Sequence, residues 1–176
     1  MTAGRKTIGT KKEWCTPPKY VELITKMLGT IDLDPCSNSF SIIEAKTKYS
    51  LPLDGLKQEW NYDKIYVNPP YGRDPLRKTS IKDWILKINE THEKYGSEIL
   101  CLIPVATNTS HYKEIIFKKS NGICFLEDTR LKFMIEGEIS KKGSPMACAM
   151  IYWGNNYDLF QKIFEEFGSC FKIKKI

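Results

Sequence analysis

The stretch KIYVNPPY, residues 64–71, joins a strand pattern directly to a rigid turn. Within residues 64–67, Ile65, Tyr66 and Val67 are β-branched or aromatic residues, which are common in strands. Two consecutive prolines, Pro69 and Pro70, fix the backbone and cannot donate hydrogen bonds, so the predicted strand ends at Val67 and the turn begins at Asn68. Ligands of open α/β sheets bind beyond the carboxyl ends of strands. This turn is therefore the first candidate for a functional site.

Helical and strand patterns alternate along the rest of the chain. This alternation predicts an α/β fold with a mostly parallel sheet and helices on both faces. The apolar run 99–103 is expected to be a central strand. The other predicted strands cover residues 30–34, 123–127, 130–135, 146–153 and 170–173, and the predicted helices cover 17–28, 40–48, 80–95, 109–119 and 156–167.

The first helix has the clearest sequence signals. Thr16 is a candidate N-cap, Pro17 and Pro18 suit a first helical turn, and Gly29 suits a C-terminal end. Apolar residues recur at a spacing that places them on one helix face. They are Tyr20, Leu23, Ile24, Met27 and Leu28.

Length and charge limit the function classes only loosely. The 176 residues suffice for one domain, predicted over residues 13–176, and the formal net charge of +6 suits a polyanionic partner without requiring one. Residues 1–12 carry four basic residues and no acidic one, which predicts a flexible basic arm. The arm is expected either to touch phosphate or to be a solvated tail.

Cysteine usage argues against a metal site. The six cysteines include no C-x-x-C pair, and the chain has only two histidines, so no metal is expected. Free thiols in a reducing cytoplasm are the favoured interpretation. No apolar run is long enough to span a membrane, and no secretory signal is recognisable, so a cytoplasmic location is expected.

The turn at residues 68–71 carries the sharpest chemical signal. The Asn68 side-chain oxygen and the Pro69 carbonyl are two acceptors, which suit an –NH2 group with two protons to donate. Tyr71 offers a flat face on which a ring can stack. By itself the tetrapeptide is equally compatible with an ordinary turn between a strand and a loop.

This turn resembles the catalytic motif of methyltransferases that act on the amino group of DNA adenine. Four other stretches occur in the order and spacing of the small phage-type DNA N6-adenine methyltransferase (Dam-like) family, from about residue 13 to residue 153. They are EWCTPP at 13–18, DLDPC at 32–36, LDGL at 53–56 and RLKF at 130–133. The segment 103–105, Ile-Pro-Val, and the late apolar strand also resemble that family.

The resemblance implies a Rossmann-like class I fold and S-adenosylmethionine as methyl donor. It also implies double-stranded DNA as partner, with the target adenine flipped out of the helix, and a phage or prophage origin. The implied catalytic residues are Asn68, Pro69, Pro70 and Tyr71. The implied cofactor-binding residues are Trp14, Thr16, Pro17, Asp34, Pro35, Cys36 (through its backbone), Asp54 and Asn68.

Substrate contacts are expected from Tyr71, Arg73, Arg77, Lys78 and Phe133, with Lys132, Lys141 and Lys142 on the other side. Each lysine is equally a candidate for solvated surface. The loops are too short for a separate recognition domain. A short or loose recognition sequence is therefore expected, read by a monomer or by a homodimer.

Several of these residues have a simpler structural explanation. Asp34 and Asp54 precede proline and glycine, which favour turns, and Phe133 is equally a core residue on a strand shared with Leu131.

The chain also departs from the family pattern. Residues 36–39, Cys-Ser-Asn-Ser, replace the usual glycine-rich loop, and little room remains before Asn68 for a second strand with an acidic ribose ligand, for which Glu44 is a candidate by position alone.

Two other functions stay open at this stage. The same turn serves methyltransferases that modify RNA adenine or protein glutamine. A non-catalytic nucleic-acid-binding module that retains the fold is the second alternative. Substrate preference and cofactor binding, respectively, distinguish them from a DNA methyltransferase.

Overall fold

A seven-stranded sheet runs through the protein, in a computed structural model that describes residues 14–128 and 130–174. The predicted basic arm, residues 1–12, lies outside the described residues. The strands are β1 Trp14–Cys15, β2 Ile31–Asp34, β3 Ala45–Lys48, β4 Lys64–Val67, β5 Glu98–Pro104, β6 Gly122–Leu126, β7 Met134–Ile135, β8 Glu138–Ile139, β9 Cys148–Trp153 and β10 Gly168–Lys172. The helices are α1 Pro18–Leu28, α2 Ile81–Tyr95, α3 Phe117–Lys119 and α4 Tyr157–Phe164, with a 3-10 turn at Gly55–Lys57 and a π-helical turn at Tyr112–Ile116.

The large sheet has the strand order β10-β6-β9-β5-β4-β2-β3. Strand β2 pairs in parallel with both β3 and β4, and β4 pairs in parallel with β5. Strand β9 lies antiparallel between β5 and β6, and β10 is antiparallel to β6. Five of the seven strands therefore run in one direction, which confirms the predicted mixed α/β fold with a mostly parallel sheet. Their carboxyl ends define one edge, the carboxyl edge.

The core consists of two apolar layers, one on each face of the sheet. Helices α1 and α4 pack on one face with Tyr66, Leu100 and Met150, and α2 and the π-helical turn pack on the other with Ile65 and Ile99. Neighbouring residues of one strand thus serve opposite layers, because side chains alternate along a strand. Strand β5 is buried on both faces, as its continuous apolar sequence predicts.

The helix boundaries follow their capping residues. Ser80 and Asp83 form a capping box at the start of α2, and Gly96 ends that helix in the left-handed conformation. Asn156 caps α4 by accepting the Leu159 N–H. The prediction for α1 was wrong in one respect. Its N-cap is Pro17, not Thr16, because the Thr16 hydroxyl is engaged elsewhere.

Two predicted elements differ from the structure. The predicted helix over 40–48 was wrong, because residues 45–48 form the edge strand β3, in which parallel pairing with β2 supplies the backbone hydrogen bonds. The predicted strand over 130–135 forms only at β7, Met134–Ile135. Leu131 and Phe133 alternate because both side chains are buried in the core, so the strand-like spacing reflects packing instead of strand pairing.

A small second sheet supports the N-terminal segment. It has the order β1-β7-β8, and Trp14 pairs with Ile135. All six cysteines are free thiols. Within residues 14–128 and 130–174 no helix has the length and apolarity to cross a membrane, and no cluster of three or more His, Cys, Asp or Glu side chains is suited to hold a metal.

We expect Phe160→Ala in α4 to lower the free energy of unfolding by about 3–5 kcal/mol, since it removes a buried ring and leaves a cavity. Phe160 is fully buried and stacks on Tyr152 with 5.1 Å between ring centroids. The same change at Phe171, which is 52% exposed, is expected to cost less than about 1 kcal/mol. Urea denaturation of both variants tests this. Equal losses would contradict the assignment of α4 to the core.

Candidate active site

The Asn68 side chain links two distant parts of the chain at the carboxyl edge. Its Nδ2 donates to the Trp14 carbonyl over 3.2 Å and approaches Thr16 Oγ1 at 3.4 Å. Within the described residues no donor contacts Asn68 Oδ1 or the Pro69 carbonyl. The two acceptors predicted from the sequence are therefore left for another partner.

Thr16 is held in this position by the last strand residues before the turn. Its hydroxyl lies 2.7 Å from the Tyr66 hydroxyl, and both residues are buried. Burial raises the pKa of Tyr66 well above its usual value, so the phenol stays neutral. The Thr16 hydroxyl thus connects Tyr66 to Asn68, a role that replaces the predicted helix cap.

Tyr71 belongs to an aromatic cluster with Trp14 and Phe133. Trp14 stacks on Phe133 with 5.2 Å between centroids, and Tyr71 meets both rings edge to face. The Tyr71 hydroxyl donates to the Leu102 carbonyl at 3.2 Å. The structure therefore brings together three aromatic residues that the sequence predicted separately. Phe133 is buried and uses one face against Trp14, which agrees with its core-packing alternative.

Asp34 is a buried carboxyl group at the end of β2. Burial raises its pKa to about 6, and the Cys36 N–H, which donates to Oδ1 over 3.2 Å, opposes that rise. The Cys36 backbone N–H is thus used within the turn, as the turn-forming alternative for Asp34 predicted. A carboxylate that is this poorly solvated gains more from a cationic ligand than an exposed one does.

A small cavity lies between Asp34 and Asn68. Its volume is about 10 Å³, room for roughly one water molecule. Ser37 Oγ lies close enough to Asp34 to favour its charged form, yet it is buried and has no partner with hydrogen-bond geometry among the described residues. The cavity is lined by Trp14, Cys15, Thr16, Asp34, Cys36, Ser37, Asn38, Ser41, Ile43, Tyr66 and Asn68.

Asp54 lies beside the Asp34 turn through its neighbour Gly55. A Cβ atom added to Gly55 would stand 1.9 Å from the Pro35 carbonyl oxygen, so the two turns are in direct backbone contact. The Asp54 carboxylate accepts the Leu56 N–H at 3.1 Å, which is the turn role predicted as its alternative. Pro35 is buried by this contact.

The predicted DNA-contacting cations fall into two groups. Arg77 is engaged within the protein, because its guanidinium lies 2.9 Å from Asp74 and 3.5 Å from Asp54. Arg73 and Lys78 are exposed and border the same loop. Three further lysines are exposed beyond the aromatic cluster: Lys132, Lys141 and Lys142.

Sequence reasoning missed several residues of this site. Ser37, Asn38 and Ser41 line the cavity, yet their segment read only as a missing glycine-rich loop. For Tyr66 the usable signal was a phenol hydroxyl two positions before Asn68, on the opposite strand face from Ile65. The segment between Asp34 and Asn68 does hold a second strand, β3, but this strand has only four residues and none of them is acidic. Glu44 is exposed and precedes β3, so it lies away from the carboxyl edge.

A larger groove of about 310 Å³ lies elsewhere, between the 3-10 turn and α2. Lys94 and Tyr95 line this groove. They lie just before Glu98, where β5 begins at the edge of the sheet opposite the carboxyl edge. Two of its charged residues neutralise each other, since Lys94 Nζ lies 3.1 Å from Glu59 Oε1. The groove is thus separate from the carboxyl edge.

The family profile described as DNA N-6-adenine-methyltransferase (Dam) matches residues 5–172, nearly the whole chain. The chain belongs to this family. Dam family membership implies an enzyme that methylates adenine in DNA, and it agrees with the resemblance noted in the sequence. No protein with a curated description matches the chain.

We expect Asp34→Asn to be more stable than the unchanged Dam-family protein at pH 8. The raised pKa means that the native state favours the protonated carboxyl, so the Asp34 contribution is present below pH 4 and is lost as pH rises through about 6. From pH 4 to pH 8 the stability difference should grow by about 2–3 kcal/mol in favour of the variant. Urea denaturation across this pH range measures it.

Asp32→Asn, two positions earlier on the same strand, is the matched control. The hydrogen bond from Lys46 lowers the pKa of Asp32, so its contribution is present at neutral pH and is lost as pH falls. The Asp32 variant should therefore change in the opposite direction. A common pH dependence for both variants would contradict the assigned burial of Asp34.

Proposed function

We propose that the protein transfers a methyl group from S-adenosylmethionine to the N6 amine of adenine in double-stranded DNA. The observation that carries the proposal is the pair of consecutive acceptors, Asn68 Oδ1 and the Pro69 carbonyl, at the carboxyl edge of a Dam-family chain. Five parallel strands with helices on both faces of the sheet support a Rossmann-like class I methyltransferase fold.

Two acceptors are suited to the two protons of the adenine N6 amine. Accepting both protons draws the nitrogen lone pair out of conjugation with the ring, which makes the nitrogen nucleophilic. Asn68 is suited to this task because its Nδ2 is held by Trp14 and Thr16, which fixes the direction of its oxygen. A preorganised polar group loses little free energy when the transition state forms.

The residues around the cavity fit the amino-acid end of S-adenosylmethionine. The Asp34 carboxylate suits its ammonium group, and the hydroxyls of Ser37 and Thr16 suit its carboxylate. Ser37 Oγ lies near Asp34 without hydrogen-bond geometry to any described partner, so its hydroxyl is free to reorient toward a polar ligand. Because the cavity holds only about 10 Å³, its walls must separate on binding, and Asn38 and Ser41 belong to the connection that would move. Asp54, next to this turn, would contact the nucleoside end.

The donor supplies an electrophilic methyl group on a sulfonium. With the donor bound, the N6 lone pair, directed by Asn68 Oδ1 and the Pro69 carbonyl, would accept this methyl group as its bond to sulfur breaks, and N6 would then release one proton to solvent. The protein therefore needs no general base before transfer. Its residues contribute by positioning and polarisation.

The adenine has to leave the duplex to reach Asn68, at a cost of a few kcal/mol. Tyr71 and its aromatic neighbours, Trp14 and Phe133, offer the apolar surroundings in which the extruded base would stack. Arg73 and Lys78 would meet phosphates close to the catalytic turn. Site specificity would come from these short loops, read by a monomer or a homodimer.

We expect Asn68→Ala to lower methyl transfer by about 100-fold or more while S-adenosylmethionine binding stays measurable. The assay is transfer of labelled methyl to unmethylated DNA, with the product identified as N6-methyladenine. Asn155→Ala is the control, since Asn155 is exposed and follows β9 at the opposite edge of the sheet.

Each other result has a defined meaning. Preferential methyl transfer to RNA or to protein would show that one of these, and not DNA, is the substrate. Absence of cofactor binding by the unchanged protein would leave a nucleic-acid-binding module. Full activity of the Asn68 variant would contradict the catalytic role of the turn.

We expect Gly55→Ala to weaken S-adenosylmethionine binding by about tenfold or more, because the new methyl group would displace the Pro35 carbonyl and, with it, the Asp34 turn. Gly72→Ala is the matched control, since nothing lies within 4 Å of its added Cβ. Calorimetric titration with the cofactor measures both, and a thermal melt checks folding. Equal affinities for the two folded variants would contradict the placement of the cofactor beside Asp34.

A further inference from the structure

The loop after the catalytic turn holds a leucine out into solvent. Asp74 and Thr79 close the loop by exchanging backbone hydrogen bonds of 2.8 and 3.2 Å. Leu76, between them, is 90% exposed, the highest value among the large exposed hydrophobic residues. Single exposed hydrophobic residues are common on protein surfaces, so exposure alone assigns Leu76 no role. Its place in the loop after the turn at residues 68–71 and the groups around it indicate one.

The exposure of Leu76 is imposed by an ordered backbone. Asp74 Oδ1 accepts the Leu76 N–H at 3.0 Å and the Arg77 N–H at 3.2 Å. Asp74 Oδ2 accepts from the Arg77 guanidinium at 2.9 Å, and that guanidinium also pairs with Asp54. The carboxylate thus fixes the turn on both sides of Leu76 and ties it to the body of the protein.

The surroundings of Leu76 match duplex DNA. Two exposed cations, Arg73 and Lys78, border the apolar tip, which places phosphate-binding groups on both sides of it. Leu76 lies five residues after Tyr71, within roughly 17 Å of it along an extended chain. An apolar side chain between cations and next to the base-binding turn has the chemistry of a wedge that enters the base stack.

We propose that Leu76 enters the base stack of the duplex at the position that the target adenine leaves. This inference rests on the proposed function. Extruding a base removes its stacking and leaves its partner thymine unpaired, and an apolar side chain in that gap replaces part of the lost contact. Leu76 is therefore a positioning residue that acts on the flipping equilibrium, whereas Asn68 acts on the reaction.

The test compares Leu76→Ala with the unchanged protein on two duplexes that contain an adenine it methylates. In the first duplex the target faces thymine, and in the second it faces an abasic site, where little pairing has to be broken. Single-turnover rates at saturating DNA remove differences in affinity. A second readout is the fluorescence of 2-aminopurine at the target position, which rises when the base is extruded.

We expect Leu76→Ala to be about tenfold or more slower on the paired duplex, with reduced 2-aminopurine fluorescence, and to approach the rate of the unchanged protein on the abasic duplex. Leu86→Ala, a leucine on α2 that is 38% exposed, should behave as the unchanged protein on both. Cofactor affinity should be equal in all three proteins.

Two results would overturn the inference alone. One is a rate for Leu76→Ala within twofold of the unchanged protein on the paired duplex. The other is an equal slowing on both duplexes, which would indicate a general contact instead of stack entry. Absence of methyl transfer by the unchanged protein on both duplexes would overturn the proposed function, and this inference with it.

Discussion

The hydrogen bond from the Asn68 amide to the Trp14 carbonyl, across 54 positions of the chain, is the constraint on which the site depends. The sheet fixes the backbone of Asn68, which directly follows β4, but it does not fix the direction of the side chain. Its side chain is oriented because Trp14 is itself fixed, through pairing with Ile135 in the small sheet and stacking on Phe133. The nitrogen of the amide is therefore occupied by the protein, and the oxygen is left for a ligand.

The neighbouring Asp34 illustrates how such a site is maintained at a cost in stability. Burial favours the protonated form of this carboxyl group even though the Cys36 N–H donates to it and Ser37 and Ser41 lie close enough to favour its charge, so at neutral pH the native state bears the cost of that charge. The same poor solvation strengthens the attraction of a cation to it. Ser37 adds an orphaned hydroxyl to the same wall. Asp34 and Ser37 thus offer two polar groups to a ligand from one wall of the cavity.

The chemistry changes in order along the carboxyl edge. Polar groups around Asp34 suit an amino-acid moiety, and the amide at Asn68 suits an amine. Aromatic rings around Tyr71 suit a base, and the loop beyond them carries cations and Leu76. Arg77 joins the first and last of these regions, since it binds both Asp54 and Asp74. Cofactor and DNA would thus be bound by parts of the protein that share one ion-pair network.

The sequence by itself determined the elements whose signals are local. The apolar run of β5, the apolar stripe of α1 and the starts of α2 and α4 depend on near neighbours only, and each was predicted correctly. The turn at residues 68–71 was also predictable, because two prolines restrict the backbone whatever surrounds them. The family was recognisable because its motifs occur in one order along the chain, and the profile match confirms it.

The tertiary structure alone decided what each polar group contacts. Thr16 reads locally as a helix cap, yet its hydroxyl meets Tyr66 and Asn68, and Arg77 reads as a phosphate contact, yet it binds two carboxylates. Residues 45–48 have no strong strand signal and form β3 because β2 offers an unpaired edge. Hydrogen bonds and ion pairs are short-range and have no period in the sequence, so partners that are tens of residues apart are set only when the packed sheet and helices bring them together.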